Sequence, residues 1–170
     1  ASLIACIAAL LARQSGRAVK LRLDRDDDMT MTGKRHGFHI SYDVGFDDRG
    51  RIQALDMRQL VDCGMSPDLS NAIADRAMFH ADNCYFLPHA VITSYRCFTH
   101  KVSNTAFRGF GGPQGMLAIE YVIDDIARHL GLPADQVRRV NFYDAMDARK
   151  DRCTTHYGMA VEDCIIADIF

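Results

Sequence analysis

The chain has 170 residues, of which 48% are hydrophobic and 25% are charged, so it can bury a core of the size that one domain needs. Its formal net charge is -2, and its basic residues are scattered apart from the doublets Lys34–Arg35 and Arg138–Arg139. This distribution excludes the basic stripe of a nucleic-acid-binding protein, and no stretch is apolar enough to predict a membrane span.

The first predicted elements are a helix and a strand. Apolar residues recur at helical spacing and stop before Gly16, which predicts an amphipathic helix. These residues are Leu3, Ile4, Ile7, Leu10 and Leu11. Ala18 to Leu23 is predicted as a strand that enters the acidic run Asp26–Asp28. Because consecutive carboxylates in a loop are usually solvated or cap a neighbouring element, the run does not predict a divalent-metal site.

A β-hairpin is predicted next. Apolar and polar residues alternate from His39 to Phe46, which is the period of a half-buried strand. The turn Asp47–Gly50 follows, and a second strand runs from Arg51 toward Val61.

The rest of the chain mixes helices with one more strand. A short helix over 71–79 precedes a strand over Val91–Phe98, and a longer helix with an apolar face over Leu117–Leu130 is closed by Gly131. Pro133 begins another short helix. A polar loop over 145–152 and a last helix starting at Val161–Ile166 complete the order. The mixture predicts an α+β fold, with residues 1–170 as a single fragment that has no clear internal boundary.

The most distinctive segment is the glycine-rich stretch Ser103–Gly115, SNTAFRGFGGPQG. Its glycines allow a ligand to approach the main chain, and Pro113 favours a helix start, so the loop is predicted to end at a helix N-terminus. Free N–H groups at that end and the Arg108 guanidinium favour an anion. Phe107 and Phe110 add flat apolar faces. The segment therefore predicts a pocket for a planar, anionic ligand.

The same glycine-rich residues also fit a tight strand-to-helix turn whose phenylalanines fill the core. They do not fit the two common nucleotide-binding motifs. No Gly-Lys-Ser/Thr follows the glycines, and the spacing of Gly109, Gly111 and Gly115 departs from GxGxxG.

Three further segments accompany the glycine-rich stretch in a fixed order and spacing. They are Leu23–Met29 (LDRDDDM), Thr32–His36 (TGKRH) and Asp75–Tyr85 (DRAMFHADNCY). Together, over roughly residues 1–143, these segments resemble the molybdenum-binding part of the xanthine dehydrogenase family of molybdenum hydroxylases. The resemblance implies the α+β fold of a molybdopterin-binding domain. It also implies hydroxylation of hypoxanthine or xanthine to urate, with oxygen from water, at a molybdenum centre.

The resemblance assigns roles to individual residues. Arg76 corresponds to the substrate-orienting arginine, which contacts a purine oxygen and stabilises negative charge on the ring. Phe110 corresponds to the phenylalanine that holds the purine ring. Arg108 corresponds to a residue beside the molybdenum, and the resemblance implies that it lines the cofactor site together with Phe107 and Gly109.

Without that context, Arg76 has a plainer interpretation. The segment Asn71–Phe79 then predicts a short helix in which Asp75 and Arg76 form a solvated acid–base pair.

The resemblance also implies what lies elsewhere. No catalytic residue is expected in this chain, because one active-site glutamate is expected before Ala1 and the general-base glutamate beyond Phe170. The chain is thus expected to be a fragment, inactive alone, of an oligomeric cytoplasmic enzyme of purine catabolism. Molybdenum-molybdopterin is implied here, whereas iron–sulfur clusters and FAD, with NAD as acceptor, are implied in other domains or subunits.

Two other functions stay open. A relative that oxidises aldehydes or other nitrogen heterocycles uses the same cofactor but generally lacks an arginine at the position of Arg76. Alternatively, a noncatalytic binding or assembly domain would hold an anion on the Gly109–Gly112 loop.

Cysteines and histidines predict no metal site of their own. The six cysteines are widely separated and form no CxxC pair, so neither a zinc ribbon nor a local iron–sulfur motif is predicted. A disulfide framework is not expected either, and a reducing cytoplasmic setting is the default. His36 and His39 lack a convincing third ligand nearby.

Overall fold

A computed structural model describes residues 2–143 and 152–169 of the chain. The chain divides into two units, residues 1–33 and residues 34–170. Helices and one mixed three-stranded sheet place it in the α+β class, which confirms the predicted fold class. That residues 1–170 form a single fragment without an internal boundary stays a prediction.

The first unit contains two helices. Helix α1 (Ser2–Ser15) confirms the predicted amphipathic helix. The prediction of a strand over Ala18–Leu23 is wrong, because these residues have no regular structure. A strand needs a neighbouring strand to be stable, and no described strand pairs with them. Helix α2 (Arg25–Met31) occupies the acidic run instead, and Asp24 caps it by accepting a hydrogen bond from the Asp27 N–H at 2.8 Å.

The sheet begins with the predicted hairpin. Strand β1 (Phe38–Phe46) pairs antiparallel with strand β2 (Ile52–Gly64). Asp47 closes the turn between them, since its carboxylate accepts hydrogen bonds from the N–H groups of Arg49 and Arg51. Strand β3 (Ala90–Phe98) pairs parallel with β2, which gives the order β1-β2-β3.

Three helices of the second unit pack around this sheet. Helix α3 (Ser70–Phe79) and helix α4 (Gly112–Leu130) confirm the predictions, and Gly131 ends α4 in the left-handed region with φ of 67°. Pro133 precedes helix α5 (Ala134–Asn141) as predicted. The main core lies between β2 and α4, and its buried side chains include Ile52, Leu55, Met57, Ile119, Val122, Ile123 and Ile126.

The C-terminal part of the chain differs from the prediction. The last helix is predicted to begin within Val161–Ile166, but residues 161–165 have no regular structure and helix α6 is only Ile166–Ile169. A stretch with Asp163 and Cys164 at its centre lacks the residues that favour an isolated short helix. The predicted loop over 145–152 lies outside the described residues except for Arg152. Of the helices described, none combines the length and apolar character needed to cross a bilayer.

Asn141 joins the end of α5 to the start of β2. Its fully buried side chain accepts a hydrogen bond from the Ile52 N–H at 2.9 Å and donates to the carbonyl oxygens of Gly50 at 2.8 Å and Val137 at 2.9 Å. The amide therefore satisfies backbone groups that water does not reach.

We expect Asn141→Ala to lower the free energy of unfolding by about 3 kcal/mol, because it leaves the buried Ile52 N–H and Gly50 carbonyl without partners. Urea unfolding monitored by circular dichroism measures this change. The exposed Gln136, one turn earlier in α5, is the matched control, and its replacement by alanine should change stability by less than about 0.5 kcal/mol. Equal effects of the two substitutions would contradict the prediction.

Candidate functional site

The glycine-rich loop, residues 103–111, is fixed to the sheet at its beginning. The side chain of Asn104 is buried and donates to the Asp62 carbonyl oxygen at 2.8 Å, and its N–H donates to the Cys63 carbonyl oxygen at 3.0 Å. The Thr105 hydroxyl donates to the Asp68 carboxylate at 2.5 Å. The loop, which follows β3 in the chain, is therefore attached at a defined position beside the end of β2, although it contains no helix or strand.

The tip of the loop has unusual backbone angles. Gly109, Phe110 and Gly111 have φ values of 90°, 51° and 96°, so three consecutive residues lie in the left-handed half of conformational space. Two internal bonds stabilise this path, from Phe110 N–H to the Phe107 carbonyl at 2.8 Å and from Gly112 N–H to the Gly109 carbonyl at 3.0 Å. The loop ends at the N-terminus of α4, as predicted.

The same backbone path leaves donors available. Among the described residues, the N–H groups of Arg108 and Gly109 have no acceptor, and both residues are exposed. Successive N–H groups without an acceptor, just ahead of a helix N-terminus, favour an anion.

Helices α3 and α4 approach each other through glycine. A Cβ atom on Gly111 would lie 2.0 Å from the Ile73 carbonyl oxygen, and one on Gly115 would lie 2.2 Å from the Ala77 carbonyl oxygen. Only glycine permits this contact between main chains. Because Arg76 belongs to the helical turn between Ile73 and Ala77, the loop crosses α3 at the turn that contains Arg76.

The structure leaves Arg76 available for a ligand. Arg76 is exposed, and no described residue forms an ion pair or a side-chain hydrogen bond with it. The alternative interpretation, an acid–base pair with its neighbour, is wrong, because Asp75 forms its ion pair with Arg96 of β3. The charge of the Asp75 carboxylate is therefore neutralised by Arg96 and not by Arg76.

The other predicted site residues lie along the loop. Phe110 is half-buried and lines a narrow crevice together with Ile73 and Phe107, and Phe107 as a whole residue is 54% exposed. Arg108 is exposed, and no described carboxylate pairs with it. The structure thus brings Phe110 to the helical turn of Arg76 and leaves Arg108 and Gly109 on the surface.

Arg35 is a residue at this site that the sequence reasoning missed. Its Nη2 donates to the Arg108 carbonyl oxygen at 2.5 Å, and its guanidinium carbon lies 4.3 Å from the centre of the Phe107 ring. The sequence indicated Arg35 only through the segment Thr32–His36, which is part of the family resemblance. That resemblance assigned no role to Arg35. Three arginines without described acidic partners, Arg35, Arg76 and Arg108, therefore surround the loop.

His36 follows directly and is buried. Its Nε2 and the Ser70 Oγ lie 2.7 Å apart, and its carbonyl accepts from the Gln114 side chain at 3.2 Å. Burial lowers the pKa of His36, and the nearby Asp62 and Asp68 carboxylates oppose this effect. The histidine is therefore neutral in the folded protein at neutral pH.

We expect this histidine to make stability depend on pH below its ordinary pKa of 6.5. As the pH falls, the unfolded chain binds the proton first, so stability decreases between that value and the lowered pKa of the folded state. The slope contributed by one proton is at most about 1.4 kcal/mol per pH unit. Urea unfolding across this range should show a shallower slope for His36→Gln than for the wild type, and parallel profiles would contradict the assignment.

Within residues 2–143 and 152–169, no group of three or more histidine, cysteine or acidic side chains could hold a metal ion directly. A comparison with protein families bears on the cofactor instead, since the sequence model of the molybdopterin cofactor-binding domain matches residues 1–142. The chain belongs to the molybdopterin cofactor-binding domain family.

Individual relatives of this molybdopterin cofactor-binding domain narrow the comparison. The chain is 47% identical over 161 residues to xanthine dehydrogenase/oxidase of Mus musculus, covering 95% of the chain and 12% of that protein. It is 43% identical over 167 residues to xanthine dehydrogenase 1 of Arabidopsis thaliana, covering 98% of the chain and 12% of that protein. The chain thus spans a small part of the relatives that it matches.

Solved structures share the fold of the domain. The aldehyde oxidoreductase from Desulfovibrio gigas superposes with a TM-score of 0.73 at 28% identity, over 84% of this chain and 16% of that one. Quinoline 2-oxidoreductase from Pseudomonas putida 86 gives 0.73 at 27% identity, over 91% and 20%. The residues of the loop fit an anionic cofactor, because free N–H groups and unpaired arginines are the donors that its oxygen atoms require.

Proposed function

We propose that this chain is part of the catalytic subunit of a xanthine dehydrogenase, where it places a purine against a molybdenum centre. The observation that supports the proposal most is Arg76, an exposed arginine without an acidic partner among the described residues, on the helical turn of α3 that the loop crosses. A guanidinium and an aromatic ring that belong to the same site suit a flat heterocycle that bears carbonyl oxygens. The identity to xanthine dehydrogenases supports the same substrate class.

In this proposal, Phe110 and Arg76 bind the substrate. Phe110 holds one face of the purine ring, and such a contact contributes about 1 to 3 kcal/mol for bases on protein aromatics. Arg76 donates to a purine oxygen, where negative charge increases while the ring is attacked. Because that charge is larger in the transition state than in the bound substrate, Arg76 lowers the barrier more than it tightens binding. Arg76 transfers no proton, since its guanidinium stays charged.

Phe107, Arg108 and Gly109 are proposed to line the cofactor site, with Arg108 near the metal. The exposed N–H groups of Arg108 and Gly109 would donate to oxygen acceptors of molybdopterin. When bound, the molybdenum cofactor supplies the two-electron oxidation and the oxygen from water that the reaction requires. The residues of this chain orient the purine and line the cofactor site. We place the catalytic carboxylates elsewhere in the enzyme.

The remaining functions are proposed to lie in other domains or subunits, because the matched relatives are far longer than this chain. Iron–sulfur clusters and FAD would pass electrons to NAD within an oligomeric enzyme. We place the enzyme in the cytoplasm and in purine catabolism. No disulfide joins the cysteines of the described residues, which fits a reducing compartment.

Oxidation of aldehydes or other heterocycles is the second candidate. The fold shared with aldehyde oxidoreductase and quinoline 2-oxidoreductase favours it. Arg76 distinguishes the two candidates. It can donate to an oxygen on the ring of a purine, whereas a simple aldehyde has no such ring oxygen for Arg76 to contact.

The proposed function can be tested on the native assembly, purified from its source through a tag on this chain. Xanthine-dependent NAD reduction would support the proposal. Turnover of benzaldehyde but not of xanthine would shift the assignment to the second candidate. If the assembly binds phosphate or purine but oxidises neither substrate, the domain is a noncatalytic anion-binding module.

A further inference from the structure

The segment Lys34–His36 runs beside the glycine-rich loop and forms one contact per residue. The Lys34 carbonyl accepts from the Thr105 N–H at 3.0 Å, and the Arg35 Nη2 donates to the Arg108 carbonyl at 2.5 Å. The His36 carbonyl accepts from Gln114, in the first turn of α4, at 3.2 Å. Three consecutive residues therefore hold the beginning, the tip and the end of the loop.

The contact of Arg35 differs from the other two because it reaches the exposed tip. Residues 106–109 have no hydrogen bond, among the described residues, to any segment outside the loop and α4 except the one from Arg35. The tight glycine contact with α3 begins only at Gly111. Without Arg35, only the two internal hydrogen bonds would restrict the backbone of a stretch that contains Gly109.

Arg35 also holds the aromatic side of the loop. Its guanidinium carbon lies 4.3 Å from the Phe107 ring centre, within the range of a cation–π contact. One planar group thus fixes both a backbone carbonyl and a ring, and a lysine ammonium cannot make both contacts at once.

One donor of Arg35 remains unused. Its Nη1 is buried and has no hydrogen-bond partner among the described residues. A buried donor of a charged group is costly to leave unpaired. The contacts of Arg35 with the loop are those with the Arg108 carbonyl and the Phe107 ring.

We propose that Arg35 is a positioning residue that fixes the tip of the glycine-rich loop, and through it Phe110, for binding of cofactor and purine. Arg35 acts through Arg108 and Phe107 and does not itself contact the reacting atoms. The functional part of this inference rests on the proposed purine chemistry, whereas the ordering of the loop does not.

The test is Arg35→Lys in the native assembly, with Arg58→Lys as the control. Arg58 is an exposed arginine of β2 whose described ion pair, with Asp56, lies away from the loop. Hydrogen exchange measures the loop directly, through the bonded N–H groups of Thr105, Phe110 and Gly112. Arg35→Lys should raise their exchange rates at least about tenfold, while the β1–β2 hairpin and the control variant stay unchanged.

Kinetics provides the second measurement. A displaced Phe110 weakens purine binding, so KM for xanthine should rise about tenfold at unchanged molybdenum content. A merely structural role would reduce the active fraction and lower kcat without changing KM. Unchanged exchange in the loop, or exchange that rises equally throughout the protein, would overturn the proposal. If the wild type does not oxidise purines but the loop alone exchanges faster in Arg35→Lys, then the proposed function fails and the role of Arg35 stands.

Discussion

Replacing Arg76 by alanine is expected to reduce kcat/KM for xanthine by about 10²- to 10³-fold, the loss typical of removing one donor aimed at developing charge. The structure leaves this guanidinium exposed and unpaired, because Asp75 is neutralised by Arg96. Its loss therefore releases no partner and disturbs no described contact. Most of the effect should lie in kcat, since the charge that Arg76 stabilises grows in the transition state.

Two comparisons make the result specific. Arg76→Lys retains the charge but not the planar fork, so it should lose less activity than Arg76→Ala. Arg58→Ala, on the exposed side of β2, should leave xanthine kinetics unchanged. If Arg76→Ala oxidises xanthine at the wild-type rate, the substrate role of Arg76 is wrong, whereas an equal loss with benzaldehyde would indicate damage to the fold.

Gly111→Ala is expected to have the largest effect on stability, a loss of about 4 kcal/mol. The new methyl group would lie 2.0 Å from the Ile73 carbonyl oxygen, and φ is 96°, which L side chains rarely adopt. Because the Cβ atom is fixed rigidly to the main chain of the loop and the oxygen belongs to the main chain of α3, the clash can be relieved only by moving the loop away from α3. Thermal unfolding of the protein measures the loss of stability, and xanthine turnover should fall with the displacement of Phe110.

Gly131 provides a control at the other end of the same helix. It also has a positive φ, 67°, but a Cβ atom there would meet nothing within 4 Å. Gly131→Ala should therefore cost only the backbone strain, about 1 kcal/mol. A similar loss at both positions would show that strain, and not the contact with α3, explains the effect of Gly111→Ala.

Local patterns in the sequence predicted the elements that depend on local physics. The alternation from His39 to Phe46 gave β1 and its hairpin partner, and the apolar face ending at Gly131 gave α4. The position of the loop ahead of a helix followed from its glycines and Pro113. The prediction of a strand over Ala18–Leu23 was wrong because a strand needs a neighbour, and no described strand pairs with these residues.

Features that depend on distant contacts could not be predicted in this way. Nothing near β3 in sequence indicates that it pairs parallel with β2, since such pairing depends on a long connection. The hydrogen bond from Arg35 to the Arg108 carbonyl joins residues 73 positions apart in the chain. Arg76 has no ion pair with Asp75 because Arg96, on a different strand, forms that pair instead. The residues of the loop itself indicated a pocket for a planar anion, whereas Arg76 came only from the family resemblance, because composition and spacing alone could not distinguish it from a surface arginine.

Asn141 also bears on the order in which the chain acquires its structure during synthesis. Its side chain bonds to Ile52 and Gly50, 89 and 91 residues earlier in the chain. The hairpin can pair as soon as its two strands have left the ribosome, because its contacts are local. The backbone groups at its turn, however, must remain hydrated until α5 emerges. We therefore expect the core around β2 to close late, and a nascent chain that stops before residue 141 to expose a hairpin without its final partner.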